Sequence, residues 1–275
     1  MKQEGDKSIS NSLFHFTNRH SAMEFILPYQ RLRLNKLKKS NDPHERFPLG
    51  FGTLNAPFRT GEDWFEDYNH WEDKLNFRRI NSKILCFCQD YFAEDQFWDG
   101  FNLARMWAQY GDNYSGVCIE IDKKLFIEEN SLFFDRKDVK FEEVTYSNKR
   151  DLFLNFDLQK NLSDEDFVSQ IVEAHYKYIF FRKHIDWEAE HESRVVTTEI
   201  SNEEIYLNIE KSLKRVIVGL HFPDGALPAL NYISGPRIDG LRFVNGKLEA
   251  WDINSNKYSL DKLRNRNDTR YDPPG

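Results

Sequence analysis

The spacing of short apolar runs is what most constrains the fold of this chain. Lys83 to Gln89, Ser115 to Asp122 and Arg215 to His221 each carry a compact apolar block, short enough for a buried strand and too short for a buried helix. Leu13 to Thr17, Arg31 to Leu37, Lys140 to Tyr146 and 187–198 predict further strands. Leu241 to Ile253 reads as a hairpin turning at Asn245-Gly246. Helical patterns lie between them. Asn18 to Leu27 places Ala22, Phe25 and Ile26 on one face, with Pro28 just beyond its end. Asp95 to Tyr110 reads as a helix with Phe97, Phe101, Ala104, Met106 and Trp107 apolar and Gly111 as its stop. Ser163 is an N-cap, followed by acidic Asp164, Glu165 and Asp166 and a stripe of Phe167, Ile171, Val172, His175, Tyr178 and Ile179. Lys177, Arg182 and Lys183 suit the negative end of that helix. Residues 55–80, with Trp64, Tyr68 and Trp71 near helical spacing, predict a surface helix. Strands and helices are interspersed without the regular alternation of a doubly wound sheet. The expectation is a single α+β domain over 12–260, with a mixed, mainly antiparallel sheet flanked by helices. Residues 1–11 and 262–275 are polar and expected to be flexible.

Charge and motifs exclude several functions. A net charge of −7 argues against a broad phosphate-binding surface, and the basic run Arg31 to Lys39 reads as a strand of alternating basic and apolar residues. The 23 phenylalanines predict a Phe-rich core. Cys86, Cys88 and Cys118 fit reduced thiols, and no second pair stands at zinc spacing. No apolar leader or membrane-span window is visible, so a soluble cytoplasmic protein is expected. Dinucleotide-fold and P-loop glycine motifs, a hydrolase nucleophile elbow and a zinc-protease helix are all absent from the sequence.

The run Trp187-Glu-Ala-Glu-His-Glu-Ser-Arg194 alternates into Val195 and Val196, which predicts a strand. Glu188, Glu190, Glu192 and Arg194 would then share one face, with Trp187, Ala189 and His191 on the other. Three like charges on one face repel unless something compensates. The plain reading is a charged edge that discourages sheet pairing. The functional reading is an acidic site for a cation or a developing positive charge, in which crowding raises the pKa of one carboxyl. Three further clusters accompany it: His15 with Thr17 on the first strand, the turn Ser40-Asn41-Asp42-Pro43, and Met106-Trp107 with Tyr110-Gly111-Asp112 leading to Gly116 through Glu120.

In this order the clusters resemble an uncharacterised bacterial domain family carrying H-[YF]-T, N-D-P, a C-F-S-like strand, M-W-x-x-Y-[AG]-[DN], G-[VI]-x-[IL]-[EG] and W-x-x-E-x-E-x-R. The resemblance spans roughly residues 13 to 220, and Cys88 stands where the family has Ser. More loosely, an early His-x-Thr strand and a late Glu-x-Glu strand resemble ADP-ribosyltransferase-type folds, including the DarT-like DNA-modifying toxins. That resemblance implies NAD as cofactor. It implies Glu192 and Glu190 as the catalytic carboxylates that stabilise the ribosyl cation and deprotonate the nucleophile. It also implies His15, Thr17, Asn41, Asp42, Trp107, Tyr110 and Arg194 as cofactor-binding residues, with no metal. A nucleotide ligand, a nucleic-acid or protein acceptor, and a toxin or phage-defence role follow from it. Glu188 is expected to be a bystander. Two alternatives remain at this level: a nucleotide sensor without chemistry, and a nuclease holding magnesium or manganese through Glu190, Glu192, Asp42 and His15.

Overall fold

The alternating apolar segments assemble into one nine-stranded sheet in the computed structural model, which describes residues 11–48, 62–93, 96–148, 163–234 and 237–253. Its strands are β1 (Ser12–Thr17), β2 (Asn35–Lys36), β3 (Lys83–Gln89), β4 (Val117–Asp122), β5 (Val139–Glu143), β6 (Glu192–Thr197), β7 (Leu213–Val218), β8 (Arg237–Val244) and β9 (Lys247–Asp252). The order across the sheet is β9-β8-β7-β4-β1-β3-β6-β5, with β2 also paired to β3. All pairings in it are antiparallel except β7 with β8. A parallel neighbour needs a crossover, and the helix Leu227–Ser234 lies between those two strands. The fold is therefore a single α+β domain with a mixed, mainly antiparallel sheet, as its sequence predicts.

Strand alternation divides the core. One face carries Leu13, Leu85, Phe87, Ile119, Val195 and Val216, packed with Phe126. On the other face, helices α1 (Glu62–Asn81) and α2 (Asp164–Phe180) lay Leu75, Phe167, Ile171 and Ile179 over Ile84 and Val196. A separate cluster on that face joins Phe101, Met106 and Trp107 to Phe14, Phe16, Cys88 and Cys118. The expectation of a core richer in phenylalanine than in leucine or valine is corrected: among the described residues buried leucines outnumber buried phenylalanines, and buried valines equal them. Between the Ile84–Val196 row and the Cys88–Glu192 row lies the Cys86–Arg194 row, where Cys86 packs at the margin of the cluster around Ile84 and Val196.

The sheet forks at β3. Beyond Phe14↔Cys88 the strands β1 and β3 stop pairing, although β1 continues along β4 as far as Thr17. The same edge of β3 is taken up again by β2 at Ile84 and Lys83. Among the described residues no strand lies beside the intervening residues 85–87 on that edge.

Several local expectations are corrected. Residues 95–110 do not form one helix. Gln96–Trp98 pairs with Tyr91–Ala93, Gly100–Asn102 makes a 3-10 turn, and the helix covers only Ala104–Gln109. The Asp90 carboxylate accepts the Gly100 N–H at 2.6 Å, and a Cβ at Gly100 would collide with the Phe14 ring and the Gln89 backbone. Ala22–Ile26 winds as a π-helix, whose wider turn buries Ala22 and Ile26 but leaves Phe25 56% exposed. The strand expected over Arg31 to Leu37 divides: Arg31–Arg33 pairs with Tyr206–Asn208, and only Asn35–Lys36 joins the main sheet. The 187–198 strand begins at Glu192, because Ile185–Glu190 is a 3-10 helix closed by His191 in the left-handed region. Residues 55–61, the side chains of Trp64 and Tyr68, and the terminal segments 1–10 and 254–275 lie outside the described residues. Among the described residues no helix is long and apolar enough to cross a membrane.

Candidate functional site

The fork in the sheet opens a cavity of ≈ 200 Å³. β1 contributes Phe14, His15 and Phe16, β2 contributes Asn35 and Lys36, and β3 contributes Ile84 through Cys88. Lys39, Ser40, Asn41 and Glu45 close one side; Met106, Tyr110, Lys183, Glu190, Glu192 and Arg194 close another. Asn35, Lys39 and Asn41 are exposed and Lys36 is half-buried, so the cavity opens among them. Engineered apolar cavities of about 150 Å³ hold a single aromatic ring, so one ring-sized group is the scale of ligand that fits.

A chain of alternating charges runs along the wall. Tyr110 donates to Glu190 at 3.0 Å, and Lys183 donates to Glu190 at 2.5 Å and to Glu192 at 3.2 Å. Arg194 grips Glu192 through Nε at 2.6 Å and Nη2 at 3.0 Å. Its Nη1 lies 2.6 Å from Glu45 and also donates to the Phe180 carbonyl at 2.7 Å. Ser40 donates to the far oxygen of Glu45 at 2.5 Å, and the Tyr146 hydroxyl accepts the Glu192 backbone N–H at 2.9 Å. All five charged groups are buried, so each depends on its partners to remain ionised.

The carboxyls diverge in character. Burial pushes Glu192 up, but Arg194 and Lys183 outweigh it and hold the group at about 2. Burial dominates at Glu190, with the Glu192 charge adding to it, and its pKa is raised despite Lys183. Burial lowers Lys183, yet Glu192, Glu45 and Glu190 together raise it above its ordinary value. Burial also pushes the Cys86 thiol far up, so it stands as a neutral group beside Glu192. The two carboxyls therefore shift in opposite directions, Glu190 upward mainly through burial rather than through crowding by Glu192, and Glu192 downward through its cations.

Elements far apart in sequence position these groups. Glu190 ends the 3-10 helix and Glu192 begins β6, and the left-handed His191 (φ 43°) between them turns both side chains towards Lys183. The expected row of four residues on one strand face is thus not formed, and Glu188 is exposed. Asp42 N-caps the short helix Pro43–Arg46, which aims Glu45 at Arg194.

Of the nine site residues expected from sequence, Glu190, Glu192, His15, Asn41, Tyr110 and Arg194 meet at the cavity. Thr17, Asp42 and Trp107 do not line it. Asp42 is buried in its capping role and accepts the His44 N–H at 2.9 Å. Trp107 is core, edge-on to Phe16 at 5.1 Å, with Nε1 donating to the Phe101 carbonyl at 2.7 Å. Glu45, Lys183, Ser40 and the rim lysines were not among the expected residues. Glu45 stands three after the Asp42 cap, the spacing of a capping box, and that signal was available. Among the described residues no three His, Cys, Asp or Glu side chains are placed to hold a metal ion.

Residues 106–195 match a family described as a protein of unknown function, DUF2971. The matched segment is less than half of the chain. It contains Met106, Tyr110, Lys183, Glu190, Glu192 and Arg194, and the rest of the cavity comes from residues before it. No curated protein and no solved structure matches the chain.

Proposed function

We propose that the cavity binds a nucleotide and that the protein is an ADP-ribosyltransferase-like enzyme using NAD. The observation that carries this reading is the polarity of the cavity. Glu45, Glu190 and Glu192 stand along its wall, and Lys36 and Lys39 stand where it opens. A cationic ring suits the wall and phosphates suit the rim. When the C1′–N bond to nicotinamide breaks, its electron pair leaves with the nicotinamide nitrogen and the ribose carries positive charge. A preorganised carboxylate beside that carbon stabilises it most where water is excluded. Glu190 is assigned this place, because Glu192 accepts three bonds from the two buried cations, whereas Glu190 accepts one from Lys183 and one from the neutral Tyr110 hydroxyl. The raised pKa of Glu190 also suits it to take the proton from the incoming nucleophile. Nucleic acid and protein both remain in scope as acceptors, and a toxin or phage-defence role belongs to the same proposal.

A second reading has its own support: every ion in the buried chain has a partner, as a nucleotide sensor without chemistry would need. Incubation with NAD, alone and with DNA, RNA or protein, followed by detection of free nicotinamide separates the two. Release establishes the enzyme. Saturable NAD binding without release establishes the sensor, and no binding removes both.

A further inference from the structure

His15 occupies the fork itself. It follows Phe14 on β1, so strand alternation places its side chain on the face opposite Phe14, Cys88 and Glu192. Its ring meets Phe87 edge-on at 5.9 Å. Nδ1 lies 3.1 Å from the Cys86 carbonyl oxygen, on the stretch of β3 whose edge away from β6 pairs with no described strand. A carbonyl only accepts, so Nδ1 must carry the hydrogen. Burial holds the pKa of the ring below its ordinary value, which leaves the imidazole neutral at neutral pH. Nε2 therefore keeps a bare lone pair. No other described residue is hydrogen-bonded to it, and His15 lines the cavity.

The charges around the cavity add a second constraint. Along the buried wall Glu45, Glu190 and Glu192 meet the buried cations Lys183 and Arg194, which leaves one negative charge in excess there, while Lys36 and Lys39 stand at the opening. Asp42 and Arg79, the next buried charges out, are one of each sign. We propose that His15 Nε2 is a fixed hydrogen-bond acceptor which, with that surplus charge, restricts the cavity to an uncharged or cationic ring bearing an N–H or O–H donor. The same ring bearing a carboxylate is excluded. The inference rests on the cavity being a ligand site, as read above, but not on any bond being cleaved there. A carboxamide supplies an N–H for Nε2. A carboxylate offers no donor and brings a negative charge against a lone pair and three carboxylates, a repulsive element of the kind that sets specificity. Sites built to pair a donor reject analogues without one by large factors, so at least about 100-fold weaker binding is expected for the acid.

The test uses the full chain with 15N-labelled histidine and the isosteric pair nicotinamide and nicotinate. In the free protein, long-range proton–nitrogen spectra should show His15 neutral, with Nδ1 protonated and Nε2 bare. Nicotinamide should move the Nε2 resonance saturably, and nicotinate should not move it at about 100-fold higher concentration. A protonated Nε2 in the free protein, movement with both ligands or movement with neither overturns the proposal. H15N and H15Q separate binding from folding. H15N can keep an amide N–H for the Cys86 carbonyl but offers no acceptor near Nε2, so it should keep its unfolding midpoint and lose nicotinamide. H15Q can place an amide oxygen near Nε2 and should retain part of the affinity. Wild-type nicotinamide binding by H15N overturns the assignment. Nicotinamide binding without NAD cleavage overturns only the enzymatic reading.

Discussion

Arg194→Met removes the cation at the centre of the buried chain while keeping an unbranched side chain of similar length. Arg194 is 1% exposed and holds Glu192 through two bonds and Glu45 through a third. Without it, two carboxylates at 4% and 7% exposure lose their guanidinium, and the Phe180 carbonyl loses its donor. Breaking a buried ion pair from one side costs about 3–5 kcal/mol. The depressed pKa of Glu192 gives a similar figure. A carboxyl held at about 2 instead of 4.5 contributes on the order of 3 kcal/mol. Because the folded value is depressed, that stability is complete above pH 4.5 and is lost as pH falls through about 2. Urea unfolding followed by tryptophan fluorescence measures the loss. With a slope of about 3 kcal/mol/M for a domain of this size, the midpoint should fall by about 1–1.7 M at neutral pH. The double variant Arg194→Met/Glu192→Met should recover part of it, since an apolar pair leaves one carboxylate fewer stranded. A single-variant shift below about 0.3 M would show that the chain is solvated and would refute the reasoning.

Tyr110→Phe removes the hydroxyl that donates to Glu190 and should cost about 1 kcal/mol in the same assay. That hydrogen bond lowers the Glu190 pKa, so its loss should move the acid limb of NAD cleavage to higher pH. In the wild type the limb should lie above pH 4.5, with activity falling as pH drops through the raised value; a limb at or below 4.5 would remove Glu190 as the base. Trp107→Phe deletes a buried donor and part of a core ring, and should cost about 2–4 kcal/mol. Nicotinamide affinity, measured by the histidine titration, should not change, because Trp107 lies outside the cavity.

Features coded by neighbouring residues were legible in the sequence. β3 and β4 follow from their compact apolar blocks, and the Ser163 cap from the acidic turn behind it. The Asn245-Gly246 turn follows from two residues that tolerate φ of 49° and 81°. The acidic run shows where local pattern misleads. Its period of two suits a strand, yet His191 breaks the chain direction, and the parity that linked Glu190 to Glu192 survives only because both reach Lys183. Lys183 was legible only as a cation near the end of α2, since nothing local distinguishes a solvated lysine from one buried between two carboxylates. Apolar residues at 97, 101 and 104 fit a helix as well as the observed strand, turn and short helix, and the choice is made by Asp90 and by the close approach at Gly100. The fork could not be read from any one segment, because it depends on β1 and β2 sharing one edge of β3.

The measurement that bears most directly on the proposed chemistry is nicotinamide release from NAD by the wild type and by Glu190→Gln, with folding of both checked by urea unfolding. The amide preserves the shape of Glu190 and removes its charge. We expect release by the wild type and a fall of about 100- to 1,000-fold in the variant, the usual scale for losing one preorganised electrostatic contact, with little change in the unfolding midpoint. Equal release by the two proteins, or none by the wild type with any acceptor, would contradict the assignment of Glu190.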